Sequence, residues 1–376
     1  MRSLSKSALV TAAFSVSLVG VVPAEAAART QPGTVIDSEV LPHRLWLPGT
    51  GRAYRLTYWT KNAKGKPAPS GGVVFLPRGK APRGGWPVVS WAHGTVGVGD
   101  ACAPSTAGRS DRDIKYLRKW LAQGYAIVAT DYQGLGTPGV HPYGDGRTEA
   151  YNVTDMVRAG RHLVKSLAKK WVVIGQSQGG HATLFTLAIA GRYAPELDFR
   201  GGVATGSPSN IESVVPLAGP YVPNVPLTGL VTYFLYFLGG LRETHPELDI
   251  NRFLTPRGLD LVDKGERLCY DGMHEQVEGV GVGDILAKPL FDASFHRAER
   301  AALEVPLTGY TRPFYLAHGM LDTDVPILLT FKLVADLRAH RAPVTFKAYP
   351  GVDHSGNMFA SLPDTVPFVH RILARK

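Results

Sequence analysis

Five consecutive residues, Gly175-Gln176-Ser177-Gln178-Gly179, have the types and spacing to do nucleophilic chemistry. They follow the apolar run Trp171–Ile174, which reads as a strand, and precede His181–Ala190, which reads as a helix. A nucleophile on so tight a strand-to-helix turn has a strained backbone, and the residues two before and two after it must be small. Glycine stands at both places. The turn would present the Ser177 hydroxyl at a helix N-terminus, where backbone amides and the helix dipole favour developing negative charge.

Serine attacks a carbonyl only when a base takes its proton. Behind a nucleophile elbow of this kind, the acid and the histidine follow in the order Ser, Asp, His. After the strand-like run Phe314–Ala317 comes His318-Gly319-Met320-Leu321-Asp322-Thr323-Asp324-Val325-Pro326, a turn in which Asp322 can orient an imidazole. After Val344–Ala348 comes Tyr349-Pro350-Gly351-Val352-Asp353-His354-Ser355-Gly356, a loop histidine near the C-terminus. Ser177, Asp322 and His354 thus form the expected catalytic triad. Asp324 is a weaker choice than Asp322 because it lies closer to Val325-Pro326, and Asp353 points away from its neighbour His354. His181, inside the nucleophile helix, is expected to pack or support rather than react. No H-E-x-x-H pattern or cysteine cluster is present, so neither a metal nor another cofactor is expected.

The oxyanion of an acyl-transfer intermediate needs preorganised donors. The backbone N–H of Gln178 is the first. The second is open between the loop His93-Gly94-Thr95 and the loop Asp131-Tyr132-Gln133-Gly134.

These loops must be held by a sheet. Pro87–Ala92, Tyr125–Thr130, Trp171–Ile174, Phe314–Ala317 and Val344–Ala348 read as short buried strands. Helices are expected at Asp111–Gln123, Tyr151–Leu167, Leu328–Arg338 and Pro363–Arg375. Strand–helix alternation with short links implies a mostly parallel sheet with right-handed crossovers and flanking helices, an α/β class. Edge strands are expected around Arg55–Thr60 and Gly72–Leu76. The alternation breaks between residues 210 and 305, where Pro, Gly and aromatic residues gather around Tyr233-Phe234-Leu235-Tyr236-Phe237-Leu238. This reads as a cap inserted between the nucleophile and acid strands. The core would then be residues 27–209 and 306–376.

Residues 1–26 read as a cleaved export signal, with Arg2 and Lys6 before the apolar stretch Ala8–Val22 and Ala24-Glu25-Ala26 at the cleavage site. A secreted, extracellular protein is therefore expected. In that oxidising setting Cys102 and Cys269, the 2 cysteines of the chain, are expected to pair. The net charge of +10 is carried by scattered Lys and Arg residues without any nucleic-acid module, so no nucleic acid partner is expected. At most, lipid surfaces are touched peripherally, and a monomer is favoured.

Several separated segments resemble the secretory lipase family of fungi and actinobacteria. They are Cys102-Ala103-Pro104-Ser105, Gly124–Gly134, Gly175–His181, Tyr193-Ala194-Pro195-Glu196-Leu197, the Asp322 loop with Val325-Pro326, and the His354 loop. The resemblance implies an α/β-hydrolase fold with a largely helical cap and a triad of Ser177, Asp322 and His354. It also implies a Cys102–Cys269 disulfide, and Asp131 as the second oxyanion residue beside Gln178. An ionised carboxylate would repel an oxyanion, so Asp131 would act through its backbone N–H or as a protonated acid; Thr95 stays in reserve. Glutamine on both sides of Ser177 departs from a yeast member of the family, which has Tyr and Gly there. The expected reaction is hydrolysis of a small-molecule or lipid ester through an acyl-enzyme. Acyl transfer by the same triad is the alternative, and a non-catalytic binding role the remoter one.

Overall fold

In the computed structural model, residues 30–224 and 228–375 are described. The expected export segment, 1–26, lies outside them. Among the described residues nine strands form one sheet. They are β1 (Val35–Val40), β2 (Thr50–Lys61), β3 (Pro67–Pro77), β4 (Trp86–Ala92), β5 (Ala126–Gln133), β6 (Leu167–Gln176), β7 (Asp198–Thr205), β8 (Phe314–Gly319) and β9 (Val344–Tyr349). Their order is β1-β2-β3-β5-β4-β6-β7-β8-β9. The first three strands form an antiparallel edge, and β3 runs antiparallel to β5. From β5 through β9 all neighbours are parallel. The mostly parallel sheet expected from the alternation of elements is present.

Helices cover both faces. Their contacts follow the two-residue period of the strands. Val88, Ala92, Val128 and Val173 pack with α2 (Gly146–Leu163), α3 (Gln178–Tyr193) and α8 (Ile327–Ala339) on one face. Val89, Trp91, Ile127, Val172 and Ile174 pack with α1 (Asp111–Ala122) and α9 (Leu362–Ala374) on the other. Buried on both sides, the central strands have no polar face to expose, which explains their continuous apolar runs.

Local chemistry sets the helix ends. The Ser110 hydroxyl accepts from Asp113 N–H at 3.2 Å and starts α1. The Asp145 carboxylate accepts from Thr148 N–H at 2.9 Å and starts α2 five residues before the expected Tyr151. At its other end α2 stops at Leu163, and Leu167 belongs to β6, where it pairs with Trp86. Strand β7 has no counterpart among the sequence expectations. Its apolar run is interrupted by Gly201 and Gly202, and those positions abut the carbonyls of Pro313 and Val173, leaving no room for a side chain.

Between β7 and β8 the chain builds a helical insertion containing α4 (Thr228–Thr244), α5 (Pro256–Gly265), α6 (Tyr270–Gln276) and α7 (Ala293–Leu303). It has its own apolar cluster, in which Leu235, Tyr236, Phe237 and Leu238 meet Leu261, Val262, Met273 and Phe295. The aromatic tract therefore packs inside the insertion. A disulfide ties the insertion to the sheet: Cys102, after β4, is bonded to Cys269 at the start of α6, with Cα atoms 5.3 Å apart. Beside it Tyr270 N–H donates to Val96 O at 3.0 Å. Among the described residues, no helix is long and apolar enough to cross a membrane.

Candidate active site

Ser177 sits where β6 gives way to α3, with φ +58° and ψ −124°. A non-glycine residue in the left-handed half of backbone space costs energy and is tolerated where its surroundings enforce it. Here they do. Ser177 N–H donates to Thr205 O at 3.0 Å, and its own carbonyl accepts His181 N–H at 3.0 Å as the first bond of α3. A Cβ on Gly175 would run into the Gly179 carbonyl, and one on Gly179 into the Ala92 carbonyl. The glycines flanking the serine are thus required by close backbone approach.

Asp322 lies in the turn between β8 and α8. Its Oδ1 accepts from Val325 N–H at 2.8 Å and Asp324 N–H at 3.0 Å. Its Oδ2 accepts from His354 Nδ1–H at 2.7 Å. Burial pushes this carboxyl up, but hydrogen bonds from His318 and His354 outweigh it and hold it at about 2. Asp324, the rival acid, has its carboxylate 3.3 Å from the Tyr233 hydroxyl of α4. Asp353 accepts from Gly356 N–H at 2.6 Å within its own turn.

The histidine loop reaches the elbow through β7. Gly206, at φ +54°, follows Thr205 and donates to Ala317 O at 3.0 Å. A Cβ there would sit 3.1 Å from His354 Cε1 and Nδ1. The segment Thr205–Gly206 is thus held by Ser177 on one side and lies against His354 on the other. Ser177, Asp322 and His354 are each less than one-tenth exposed. A cavity of about 640 Å³ between α7 and α8, lined by Asn210, Leu217, Phe291 and Lys332, contains none of the three.

Asp322, Asp324 and His354 also bring one potential ligand atom each within 4.8 Å of one another. Hydrogen bonds already engage both oxygens of Asp322 and Nδ1 of His354.

Gln178 opens α3, and its side chain is fixed from below. Its Nε2 donates to Glu149 Oε1 at 2.7 Å and to His141 Nε2 at 2.8 Å. His141 Nδ1–H donates in turn to Gln133 O at 3.0 Å. Burial pushes Glu149 up to about 8 and His141 down to about 3. Both groups went unnoticed in the sequence: they lie 29 and 37 residues from Gln178, and only the fold brings them together.

Asp131 is buried near the end of β5, beside Tyr132 at φ +69°. Its Oδ1 accepts from Ser105 N–H at 2.9 Å, its Oδ2 has no hydrogen-bond partner among the described residues, and burial raises its pKa. Gly94 lies beside Ser177, for a Cβ on it would sit 3.4 Å from Ser177 Cβ. Next to it the Thr95 hydroxyl lies 2.6 Å from that of Tyr143. The His93 ring bridges the two loops, with Nδ1 2.7 Å from Gly94 O and Nε2 3.2 Å from Asp131 O. His181 Nε2–H donates to Leu303 O at 2.9 Å and fastens α3 to α7, a packing role.

The secretory lipase family profile matches residues 105–375. Lipase A of Moesziomyces aphidis is 23% identical over 366 residues, covering 88% of this chain and 74% of its own. A probable inactive lipase of Mycobacterium tuberculosis is 27% identical over 279 residues, covering 69% of this chain and 60% of its own length. The crystal structure of Candida antarctica lipase A in its closed state superposes with a TM-score of 0.77 at 21% identity, over 92% of this chain and 83% of that one. At that identity the likeness speaks for the fold, which is that of an α/β-hydrolase.

Proposed function

The chain belongs to the secretory lipase family, and from that premise we propose that it cleaves carboxylic esters through an acyl-enzyme on Ser177. His354 takes the proton of Ser177 as the hydroxyl attacks the ester carbonyl. Asp322 keeps the Nδ1–H tautomer and stabilises the imidazolium that forms. The observation that carries this reading is the 2.7 Å bond between Asp322 and His354 beside a serine in a strained elbow. Because one relative is named as inactive, the reading rests on this chain's own three residues.

The tetrahedral oxyanion is received by the backbone N–H of Gln178. A second donor comes from the Asp131 loop, as backbone N–H or as a carboxyl kept protonated by burial, or from Gly94–Thr95. Burial raises the pKa of the Asp131 carboxyl, while Ser105 and the charge of Arg109 lower it. Collapse of the intermediate expels the alcohol, and water activated by His354 releases the acid. Residues 210–305 act as the cap over this site. The substrate is a small-molecule or lipid ester met outside the cell, and the chemistry calls for no cofactor.

Hydrolysis of p-nitrophenyl esters from two to sixteen carbons by wild type, Ser177→Ala and Asp322→Asn tests the proposal. Wild type should turn over, Ser177→Ala should fall to background, and Asp322→Asn should lose roughly 10⁴-fold in kcat while folding normally by circular dichroism. A fully active Ser177→Ala protein would end it.

A further inference from the structure

His318 stands on β8 four residues before Asp322, and its side chain is fully buried. A buried imidazole needs a partner for each ring nitrogen. Its Nε2 is 2.9 Å from Val325 O and 3.2 Å from Asp322 Oδ2. Its Nδ1 is 3.0 Å from the Thr330 hydroxyl on α8. A carbonyl oxygen only accepts, so Nε2 carries the hydrogen, and in the neutral ring Nδ1 is then the acceptor. Thr330 therefore donates. The Nε2–H is directed at the Val325 carbonyl, and the Asp322 carboxylate lies 3.2 Å from the same nitrogen.

We propose that His318 is a positioning residue for the triad acid, its Nε2–H sharing Asp322 Oδ2 with His354 while the Thr330 hydroxyl fixes its tautomer. The inference rests on the triad reading above and extends it by two residues. Asp322 has two backbone N–H groups on Oδ1 and His354 Nδ1–H on Oδ2, with His318 Nε2 3.2 Å from the same Oδ2. With its lone pairs so committed, the carboxylate can neither rotate nor take up a proton cheaply. It stays ionised in a buried site, as its strongly lowered pKa reflects. The interaction also spreads negative charge that would otherwise fall entirely on His354. Removing the His318 donor makes Asp322 a stronger acceptor toward His354, and the catalytic imidazole then holds its proton more tightly.

Other ionisable groups surround the pair. Asp324 shares the acid loop, Tyr233 reaches Asp324 from the insertion with Tyr270 bonded to Tyr233, Asp353 adjoins His354, and Arg112 of α1 contacts Ser355. Among the described residues, none of these side chains hydrogen-bonds to Asp322. All of them stay unchanged in the test.

The test compares wild type with His318→Leu, His318→Gln and Thr330→Val on p-nitrophenyl butyrate, measuring kcat, KM and the pH profile of kcat/KM alongside the melting temperature. His318→Leu should lose about tenfold or more in kcat, the rate equivalent of one hydrogen bond to a charged group. Its KM should stay within about twofold, and the acidic limb of its profile should move to higher pH. His318→Gln keeps an amide donor and should recover most of the rate and the wild-type limb. Thr330→Val should shift the limb in the same direction by less. If His318→Leu fails to fold, the glutamine and valine variants decide the matter by the same limb. An acidic limb that stays put in every folded variant, with rates falling only as melting temperatures fall, would overturn the inference and leave His318 a structural residue. A Ser177→Ala control run beside them separates the two claims, because activity in that protein would sink the triad itself.

Discussion

Replacing Cys102 and Cys269 together by alanine should weaken the protein without touching a reacting group. The two positions are 167 residues apart and enclose α1, α2, the elbow, β7 and most of the helical insertion. In the chain-entropy account, closing a loop of that length withdraws about 17 cal/mol/K from the unfolded chain, or about 5 kcal/mol at 25 °C. Measured values for removing native disulfides range from about 2 to 5 kcal/mol, because the crosslink also changes the hydration and residual structure of the unfolded state. With a urea m-value of about 3 kcal/mol per M, the midpoint should fall by ~0.7 to ~1.7 M. Tryptophan fluorescence in urea, recorded for wild type and for the double variant, reads this directly. The Tyr270–Val96 backbone bond beside the crosslink remains, so ester hydrolysis at low temperature should persist in the variant. A midpoint unchanged within error would refute the argument that the crosslink restrains the unfolded chain. An inactive variant with an unchanged midpoint would instead make the bond a part of the site.

Two further perturbations test the elbow and the polar network beneath it. Gly179→Ala drives a Cβ into the Ala92 carbonyl, so it should cost more than ~2 kcal/mol and abolish hydrolysis, as thermal melts and assays would show; a wild-type melt with full activity would contradict the close approach. Glu149 has a folded pKa raised from 4.5 to about 8, so the stability its protonated form contributes is present below pH 4.5 and is lost as pH rises toward 8. Glu149→Gln should therefore flatten the fall in urea midpoint across that window, and an unchanged slope would show that Glu149 is not the group responsible.

The loops that hold Ser177, Asp322 and His354, the proposed triad, were legible because each combines local signals: an apolar strand, then a turn. Cys102 and Cys269 were legible as the sole cysteines of the chain. Strand β7 was hidden because Gly201 and Gly202 satisfy neighbouring backbone and leave no apolar period to read. The early start of α2 turned on one cap, Asp145 over Thr148, whose effect shows only when the chain is seen to bend there. His318 lies in plain view in the sequence as the end of an apolar strand. Its significance depends on α8 bringing Thr330 beside it and on the acid loop folding Val325 and Asp322 back over it. Glu149 and His141 were silent for the same reason: spacing along the chain carries no trace of contacts that α3 makes with α2 and with the loop before it.

Because β8 and β9 follow the helical insertion, a chain growing from its N-terminus contains the Ser177 elbow long before it contains the proposed acid and base, Asp322 and His354. Ser177 can reach its turn once β4, β6 and β7 have come together, yet its hydroxyl remains chemically ordinary until the last strands add Asp322 and His354. Catalytic competence thus arrives with the C-terminal segment and is lost with it. On the proposed triad, a truncated or unfinished chain would carry the serine without its acid and base.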